Sequence, residues 1–496
     1  MGHARAVTLL SFIVSAASPW RVAAQCPDGS PPPCSRAGAR APAPNSVAVL
    51  YLDNLSRDTA DAYLADGLTE EIIIRLGQVQ RLDVKSRFEV QRFKGRAIQD
   101  ATVLGRSLNA AYLVTGSVQR SGDRVRLRVA LVRTASRVQA WGDVIDRASG
   151  DLLTVESDIA SEVTTAITGQ LLPEERFRLA RRLTNDPVAY EEYLRGLSEL
   201  HRTFDEASAR SALGHFARAI ARDSGFAAAF AAEALAWASL ADGYVPGREG
   251  YRHARDAADE ALRRDSSQAF SYAMLAAAAL AIDFDAPKAE QLSDRGLKLD
   301  PHDREGHIIL SRALFAEGRL DGSLNEAQRA WQLDSLNSFY GFWHFMVLIY
   351  ERRLDDAAVL LARLRGILSP VDVDPMEGVL RAARGDLGGA EHLLSWRYYG
   401  GREAGTYVRA LLVRGDSSAA RTTVDSMLAV RSAGYFNPLA FARAYAALGD
   451  IDRGIQWLQR AFDERTMWLI YVRVDPELAP LRADPRYAAL DQQLKY

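Results

Sequence analysis

The chain has 496 residues, too many for one hydrophobic core to organise, so its length predicts two or three domains. Hydrophobic residues make up 48% and charged residues 25%, an ordinary globular composition that excludes long disordered tracts. The formal net charge of -2 argues against a dedicated nucleic-acid-binding protein, which needs a concentrated basic surface.

The first 24 residues have the features of a secretory signal peptide. His3 and Arg5 precede an apolar run at 6–17, and small residues before Gln25 suit cleavage after Ala24. The run is too short to span a membrane comfortably, so no transmembrane span is predicted for the mature chain. We therefore predict a periplasmic or secreted protein; the alternative is an uncleaved segment that anchors the chain to the inner membrane.

The two cysteines, Cys26 and Cys34, follow this segment directly. They lie in a Pro/Gly-rich stretch that can close a small loop, and an exported compartment would let a disulfide between them persist. The alternative is two unpaired thiols, and lipidation of Cys26 is disfavoured because Gln25 is bulky. We assign residues 25–45 as a Cys/Pro-rich linker.

Residues 46–172 alternate between strand-like and helix-like patterns. The predicted elements are strands at 46–55 and 81–86, helices at 60–78, 100–109 and 152–171, and a three-stranded meander at 111–147. Their βαβαβββα order predicts an α/β domain in which helices cover a small mixed sheet.

Three stretches carry a family resemblance: SVAVLYLDNLSRDTADAYLADGLTEEI, YLVTGSVQRSGDRVRLRVALV and VQAWGDVIDR. They resemble the N-terminal domain family of the periplasmic translocation protein TolB and its FlgO-like relatives, over residues 46–172. The resemblance implies a domain that makes protein contacts in the cell envelope without catalysis, joined in many members to tetratricopeptide repeats. Some members add DNA-binding, kinase or cyclase domains, none of which is recognised in this sequence.

Paired helices with a period near 34 residues follow the predicted α/β domain. The period is clearest in small residues that let helices approach closely, Ala261, Gly296 and Ala330, which lie 35 and 34 residues apart. A two-helix unit cannot bury its apolar face alone, so such units stack into a solenoid. The pattern resembles the tetratricopeptide repeat, whose turn often carries a proline such as Pro301.

The same register extends in both directions from these repeats. It predicts an all-α, helical-hairpin solenoid of about eight hairpins at 186–465. The remaining residues, 466–496, read as a capping segment with a more polar outer face.

The sequence contains no recognised catalytic motif. It lacks the phosphate-binding GxxxxGK[ST] loop, a GxGxxG loop after a strand, the GxSxG elbow and the HExxH metal motif. The nearest pair of histidines, His302 and His307, would need further ligands to hold a metal. We therefore predict a protein that is not an enzyme and carries no cofactor or metal.

One predicted hairpin begins with an unusually aromatic helix, SFYGFWHFMVLIY. Aromatic residues and Met dominate peptide-binding surfaces, so a concave groove here would suit the hydrophobic anchors of a peptide. The candidate partner-binding residues share this predicted face in successive hairpins: Phe270, Ile308, Arg312, Phe339, Phe342 and Met346. The alternative is that the same residues form the core between helices.

The predicted architecture favours a non-catalytic exported scaffold or adaptor. Stacked hairpins present a long preformed surface, which limits the ordering cost of binding a protein or peptide partner. The alternative is a sensory or regulatory module related to cyclase-linked or transcription-linked repeat proteins. Neither interpretation involves nucleic acid, and neither predicts an oligomeric state.

Overall fold

The computed structural model describes residues 42–96, 100–203, 205–335, 337–397 and 401–496. The predicted signal peptide and the proposed pairing of Cys26 with Cys34 lie outside these residues, so both stay predictions.

A mixed sheet forms first along the described chain. Its strands are β1 (Ser46–Val49), β2 (Asp53–Asn54), β3 (Asp83–Val84), β4 (Tyr112–Ser121), β5 (Arg124–Arg133) and β6 (Val138–Ala148). Their order is β3-β1-β4-β5-β6, with β2 beside β4. The contacts among β1, β2, β3 and β4 are parallel, and β4-β5-β6 is an antiparallel meander. The predicted small mixed sheet is confirmed.

The α-helices described beside the sheet are α1 (Ala62–Gly77), α2 (Arg87–Gln91), α3 (Ala101–Ser107), α4 (Val155–Thr168) and α5 (Pro173–Leu179). Short 3-10 turns lie at Thr59–Asp61 and Ser149–Thr154. Helix α2 begins with a capping box, in which the Ser86 and Glu89 side chains each accept a backbone N–H at the helix start. The helices confirm the predicted α/β class.

The chain beyond residue 186 is helical, and consecutive helices pair into hairpins. The eight described pairs are α6 (Pro187–Thr203) with α7 (Glu206–Arg222), α8 (Ala227–Ala241) with α9 (Gly247–Arg264), α10 (Ala269–Ile282) with α11 (Ala286–Leu299), α12 (Arg304–Ala316) with α13 (Leu320–Leu333), α14 (Ser338–Tyr350) with α15 (Leu354–Leu364), α16 (Pro370–Ala383) with α17 (Leu387–Ala390), α18 (Ala404–Val413) with α19 (Ser417–Ala433), and α20 (Pro438–Leu448) with α21 (Ile451–Glu464). This is the predicted tetratricopeptide-like solenoid.

The small residues that set the repeat period lie where helices cross closely. Ala261 and Ala330 are fully buried. A Cβ atom added to Gly296 would lie 3.0 Å from the carbonyl oxygen of Ala269, so a larger residue would push α11 away from α10. Close helix packing therefore explains the period seen in the sequence.

The turn between the two helices of several hairpins uses a left-handed backbone conformation. Glycine occupies this position at Gly318, Gly385, Gly415 and Gly449, with φ between 75 and 94°. In the turn between α14 and α15 the same conformation is taken by Arg352, with φ 62°. Glycine adopts such a φ without steric cost, whereas a residue with a Cβ does not.

Several short elements follow α21. They are 3-10 turns at Met467–Tyr471 and Pro476–Leu478, then α22 (Ala479–Arg482) and α23 (Pro485–Asp491). Helices α22 and α23 pack on α21, and the Leu481 side chain lies against Gly454 of that helix. This part of the predicted capping segment covers the last hairpin.

The sheet and the first hairpins share one hydrophobic core. Helix α6 packs against α1, and the core that fills the sheet continues into α7 and α8. Residues from Ala43 to Tyr496 accordingly form one compact unit. The boundary predicted between residues 172 and 186 separates two fold types that do not pack independently.

Hydrogen bonds of the buried Arg75 connect the helices beside the sheet to the chain that leads into the solenoid. Each nitrogen of the Arg75 guanidinium donates a hydrogen bond: Nε to Glu71 at 3.0 Å, one terminal nitrogen to Glu156 at 3.4 Å, and the other to the Arg181 carbonyl at 2.9 Å. The Tyr193 hydroxyl of α6 donates to the second oxygen of Glu71 at 3.1 Å. We call these four side chains, Glu71, Arg75, Glu156 and Tyr193, the Arg75 joint.

Candidate functional site on the inner face of the solenoid

The two helices of a hairpin differ in how much of their surface is enclosed. Every residue of α12 from Gly306 to Ala316 is buried, so this helix is covered on all sides. Its partner α13 buries only a stripe of Ser323, Leu324, Ala327 and Ala330. The neighbouring hairpins show the same difference, and we call the enclosed side formed by the first helices the inner face; the second helices form the outer layer.

The chain's own C-terminal residues cover the inner face. The 3-10 turn Met467–Tyr471 packs against α10 and α12. Tyr471 is fully buried, and its ring centre lies 5.2 Å from that of Phe315, 5.8 Å from that of Trp343 and 5.2 Å from that of Tyr350. We call residues 466–472 the closing segment.

Two successive hydrogen bonds fix the Trp343 side chain, one of the rings around Tyr471. The Trp343 indole N–H donates to the Ser311 hydroxyl at 2.7 Å, and that hydroxyl donates to the Ser323 carbonyl at 2.7 Å. These bonds connect α14 to α12 and α12 to α13. Because a buried indole N–H needs an acceptor, they fix the ring that Tyr471 contacts.

The structure encloses most of the candidate partner-binding residues. The exposed fraction is 0% for Ile308, 3% for Arg312, 1% for Phe342 and 4% for Met346. Phe270 and Phe339 are only partly buried. The expectation of an open groove is corrected for the four buried side chains, whereas Phe270 and Phe339 keep part of their surface exposed. The role of all six in binding a partner stays a prediction.

Arg402, which no sequence pattern singled out, lies over the Phe342 ring. The guanidinium carbon of Arg402 is 4.8 Å from the Phe342 ring centre, 4.9 Å from that of Trp468 and 4.4 Å from that of Tyr471. The residue is 6% exposed, and neither terminal nitrogen has a hydrogen-bond acceptor in the described part of the chain. Nothing in the local sequence distinguishes Arg402 from a surface arginine.

Other charged groups lie in the same interior. The Arg443 Nε donates to Asp475 at 2.7 Å, and both side chains are buried. Glu403 is also buried, and neither of its carboxyl oxygens has a hydrogen-bond partner among the described residues. Burial raises the pKa of Glu403 to about 8, with the charge of Arg402 acting against the shift. Glu403 is therefore largely protonated at neutral pH.

Arg312 is a further buried cation, packed against aromatic rings of α14. Its guanidinium carbon lies 5.0 Å from the Phe339 ring centre and 5.6 Å from that of Trp343. Its buried Nε has no hydrogen-bond acceptor in the described residues. The inner face is thus lined by aromatic rings and cationic groups, a composition suited to holding aromatic side chains.

The described residues contain no cluster of three or more His, Cys, Asp or Glu side chains arranged for a metal ion. Both ring nitrogens of His307 have hydrogen-bond partners: Nδ1 lies 2.6 Å from a Glu326 oxygen and Nε2 lies 3.1 Å from the Pro301 carbonyl oxygen.

Among the residues that the structure describes, no helix combines the length and the apolar composition needed to cross a membrane.

Comparison with known proteins gives partial matches. No protein-family model matches the chain. The chain is 30% identical over 243 residues to "Putative adenylate cyclase 3" of Rhizobium meliloti (strain 1021), an alignment that covers 48% of this chain and 40% of that protein. The chain therefore spans less than half the length of this curated relative.

Among solved structures, the chain is similar to a thermophilic TPR protein of Thermus thermophilus, with 16% identity and a TM-score of 0.33 over 40% of this chain and 98% of that one. It is also similar to YrrB, a TPR protein with an unusual peptide-binding site, with 18% identity and a TM-score of 0.27 over 40% of this chain and 92% of that one. Both scores are low, so the fold assignment rests on the helix pairs of this chain.

Proposed function

We propose that this chain is a non-catalytic scaffold that binds a protein partner on the inner face of its solenoid. The proposal rests on the position of the closing segment. This short helical turn places the Tyr471 ring among those of Phe315, Trp343 and Tyr350. An inner face that encloses a helical turn of its own chain has the aromatic surface needed to hold such a turn from a partner.

The scaffold acts in the cell envelope under this proposal. Its support is the signal-peptide pattern of residues 1–24 and the TolB- and FlgO-like resemblance of residues 46–172, which implies protein contacts in that compartment. A reporter fused to the C-terminus tests the location, because alkaline phosphatase becomes active only after export. Phosphatase activity is expected, and a fusion active only as a cytoplasmic reporter would contradict export.

Two inner-face residues that are partly accessible allow a direct test of binding. Phe270→Glu combined with Phe339→Glu places two charges on that face, so capture of partner proteins from envelope extract should fall at least about tenfold. Val359→Glu is the matched control, since Val359 lies on the outer helix α15 and is 56% exposed. Capture should survive in the control.

The outcome that contradicts binding by the inner face is equally clear. If the double variant has the wild-type circular dichroism spectrum and still retains the same proteins, the partner binds elsewhere on the chain.

A second candidate function is a sensory or regulatory module. It is favoured by the 30% identity to a protein whose name contains adenylate cyclase. Under this alternative the shared region controls a signalling partner and performs no chemistry itself. Assay of the purified chain with ATP separates the possibilities: no cyclic AMP is expected, and turnover above a heat-treated control would overturn the non-catalytic assignment.

A further inference from the structure

We propose that the closing segment is an internal competitor for the partner-binding face. The partner, in this inference, presents a helical turn with two aromatic side chains three residues apart, and this turn replaces Trp468 and Tyr471. The inference rests on the proposed function and adds the chemistry of the partner and the self-occupied state of the site.

The aromatic pair of the closing segment defines what the face accepts. The Trp468 and Tyr471 rings stack with centres 5.8 Å apart and an angle of 15° between their planes. Tyr471 also stacks on Tyr350 at 27°, and Arg402 lies over both rings of the pair. A peptide with the same aromatic spacing on one helical turn can present the same two rings to this surface.

In the described residues, the closing segment forms hydrogen bonds with the C-terminal part of the chain, although it packs against the inner helices. The Asn437 side-chain amide donates to the Thr466 hydroxyl at 3.0 Å, and Arg482 donates to the Val472 carbonyl at 3.0 Å. Both partners belong to the C-terminal part of the chain. In the described residues, no hydrogen bond joins residues 466–472 to α10, α12 or α14. Ring contacts hold the segment there together with the buried apolar side chains of Met467, Leu469, Ile470 and Val472. A peptide with the same side chains can replace them.

The closed state also leaves polar groups unsatisfied. The terminal nitrogens of Arg402, both carboxyl oxygens of Glu403 and the Nε of Arg312 are buried without a hydrogen-bond partner in the described residues. Each such group loses its hydration without gaining a hydrogen bond in the described residues, and the ring contacts of the two arginines return only part of that cost. A closure with this remaining cost is easier to displace than a fully hydrogen-bonded one.

A direct test is titration of the full chain with a fluorescein-labelled peptide of sequence RTMWLIYVR, which copies residues 465–473. The Trp468→Ala/Tyr471→Ala variant weakens the internal competitor, so the peptide should bind it at least about tenfold more tightly than it binds the wild type. Trp457→Ala is the control, because Trp457 stacks on Phe441 in the C-terminal hairpins and lies outside the inner face. It should behave as the wild type.

Equal peptide affinity in the wild type and the folded double variant, or no peptide binding to either, would overturn the inference. If the double variant fails to fold, hydrogen exchange of the wild type decides. Saturating peptide should then accelerate amide exchange in residues 467–472 at least about tenfold, with α20 and α21 unchanged. Unchanged exchange would also overturn it. Continued capture of partners that depends on Phe270 and Phe339 would show that only this inference had failed.

Discussion

Two buried arginines of this protein differ in how their charge is satisfied. Arg75 donates from every guanidinium nitrogen to carboxylates or carbonyls of α1, α4 and the residues after α5. Arg402 is stacked between three aromatic rings and has no acceptor for its terminal nitrogens in the described residues. The first arrangement is a permanent connection between the sheet and the solenoid, and the second belongs to a surface that can separate.

The energetic consequence follows from the cost of dehydrating a charge. A guanidinium taken from water regains that cost only through well-placed acceptors, and a stacked ring returns a smaller part of it. Removing Arg75 would leave the buried carboxyl groups of Glu71 and Glu156 without their hydrogen-bond donor, whereas removing Arg402 would remove terminal nitrogens that have no acceptor in the described residues. The four predictions below test this difference, from the largest expected effect to the smallest.

The Arg75→Met variant should lose about 3–5 kcal/mol of unfolding free energy, because Glu71 loses its buried counter-charge and Glu156, whose pKa burial raises to about 8, loses its hydrogen-bond donor. Equilibrium urea unfolding followed by circular dichroism measures the loss. Arg210→Ala is the control, since Arg210 forms an exposed pair with Glu206 and should cost less than about 1 kcal/mol. A loss in Arg75→Met no larger than in this control would remove the distinction between the two arginines.

The unfolding free energy should depend on pH through the buried Glu403 carboxyl group. Its folded pKa of about 8 lies above the ordinary value of 4.5, so the folded state holds an extra proton between these limits. Unfolding free energy should therefore fall as pH rises from 5.5 to 7.5, by up to about 1.4 kcal/mol per pH unit from this group. Glu403→Gln should flatten the slope. Urea unfolding at each pH measures it, and an unchanged slope would contradict the buried neutral state.

Removal of Lys495 and Tyr496 should loosen the closure and leave the Arg75 joint unchanged. The Lys495 amide donates to the Phe284 carbonyl at 2.8 Å, and its carbonyl accepts from the Ala286 amide at 3.2 Å. Loss of these bonds should lower the opening free energy of the closing segment by about 1–3 kcal/mol. Hydrogen exchange measures this change, and equal acceleration in α1 would mean that the two regions open together.

The Arg402→Met variant should change the unfolding free energy by less than about 1 kcal/mol or increase it, because Met keeps the ring contacts and removes the unpaired nitrogens. Urea unfolding beside Arg75→Met provides the comparison. A loss as large as that of Arg75→Met would show that Arg402 is as well satisfied as the joint, and the closure would then be permanent.

Local patterns predicted the elements of this fold well. Period-two alternation in β5 predicts a half-buried strand, and the recurrence of Ala261, Gly296 and Ala330 predicts stacked hairpins. The sequence also contained an unused signal at Ser86-Arg87-Phe88-Glu89, the S-x-x-E spacing of a capping box, where α2 begins. Short-range patterns are readable because helices and strands repeat with fixed periods.

The burial of the candidate site could not be predicted from local sequence, because it depends on long-range packing. Phe342 and Met346 have the composition of an open aromatic groove, but both are buried in the core that also contains the closing segment, and the Arg402 guanidinium lies over Phe342. In the same way, Glu71 and Arg75 form a visible i,i+4 pair, but the contribution of Glu156 requires knowledge of how α4 packs. A single sequence carries no periodic trace of such contacts.

Glycine recurs at the left-handed position of the hairpin turns, and this preference can guide engineering of the solenoid. Gly318, Gly385, Gly415 and Gly449 all adopt the left-handed conformation that Arg352 takes with a side chain attached. That conformation costs an L-residue about 1–2 kcal/mol, part of which glycine would return as extra freedom in the unfolded chain. One glycine at 352 would give the α14–α15 turn the residue found in these four turns, and a sturdier starting repeat for designed binding proteins.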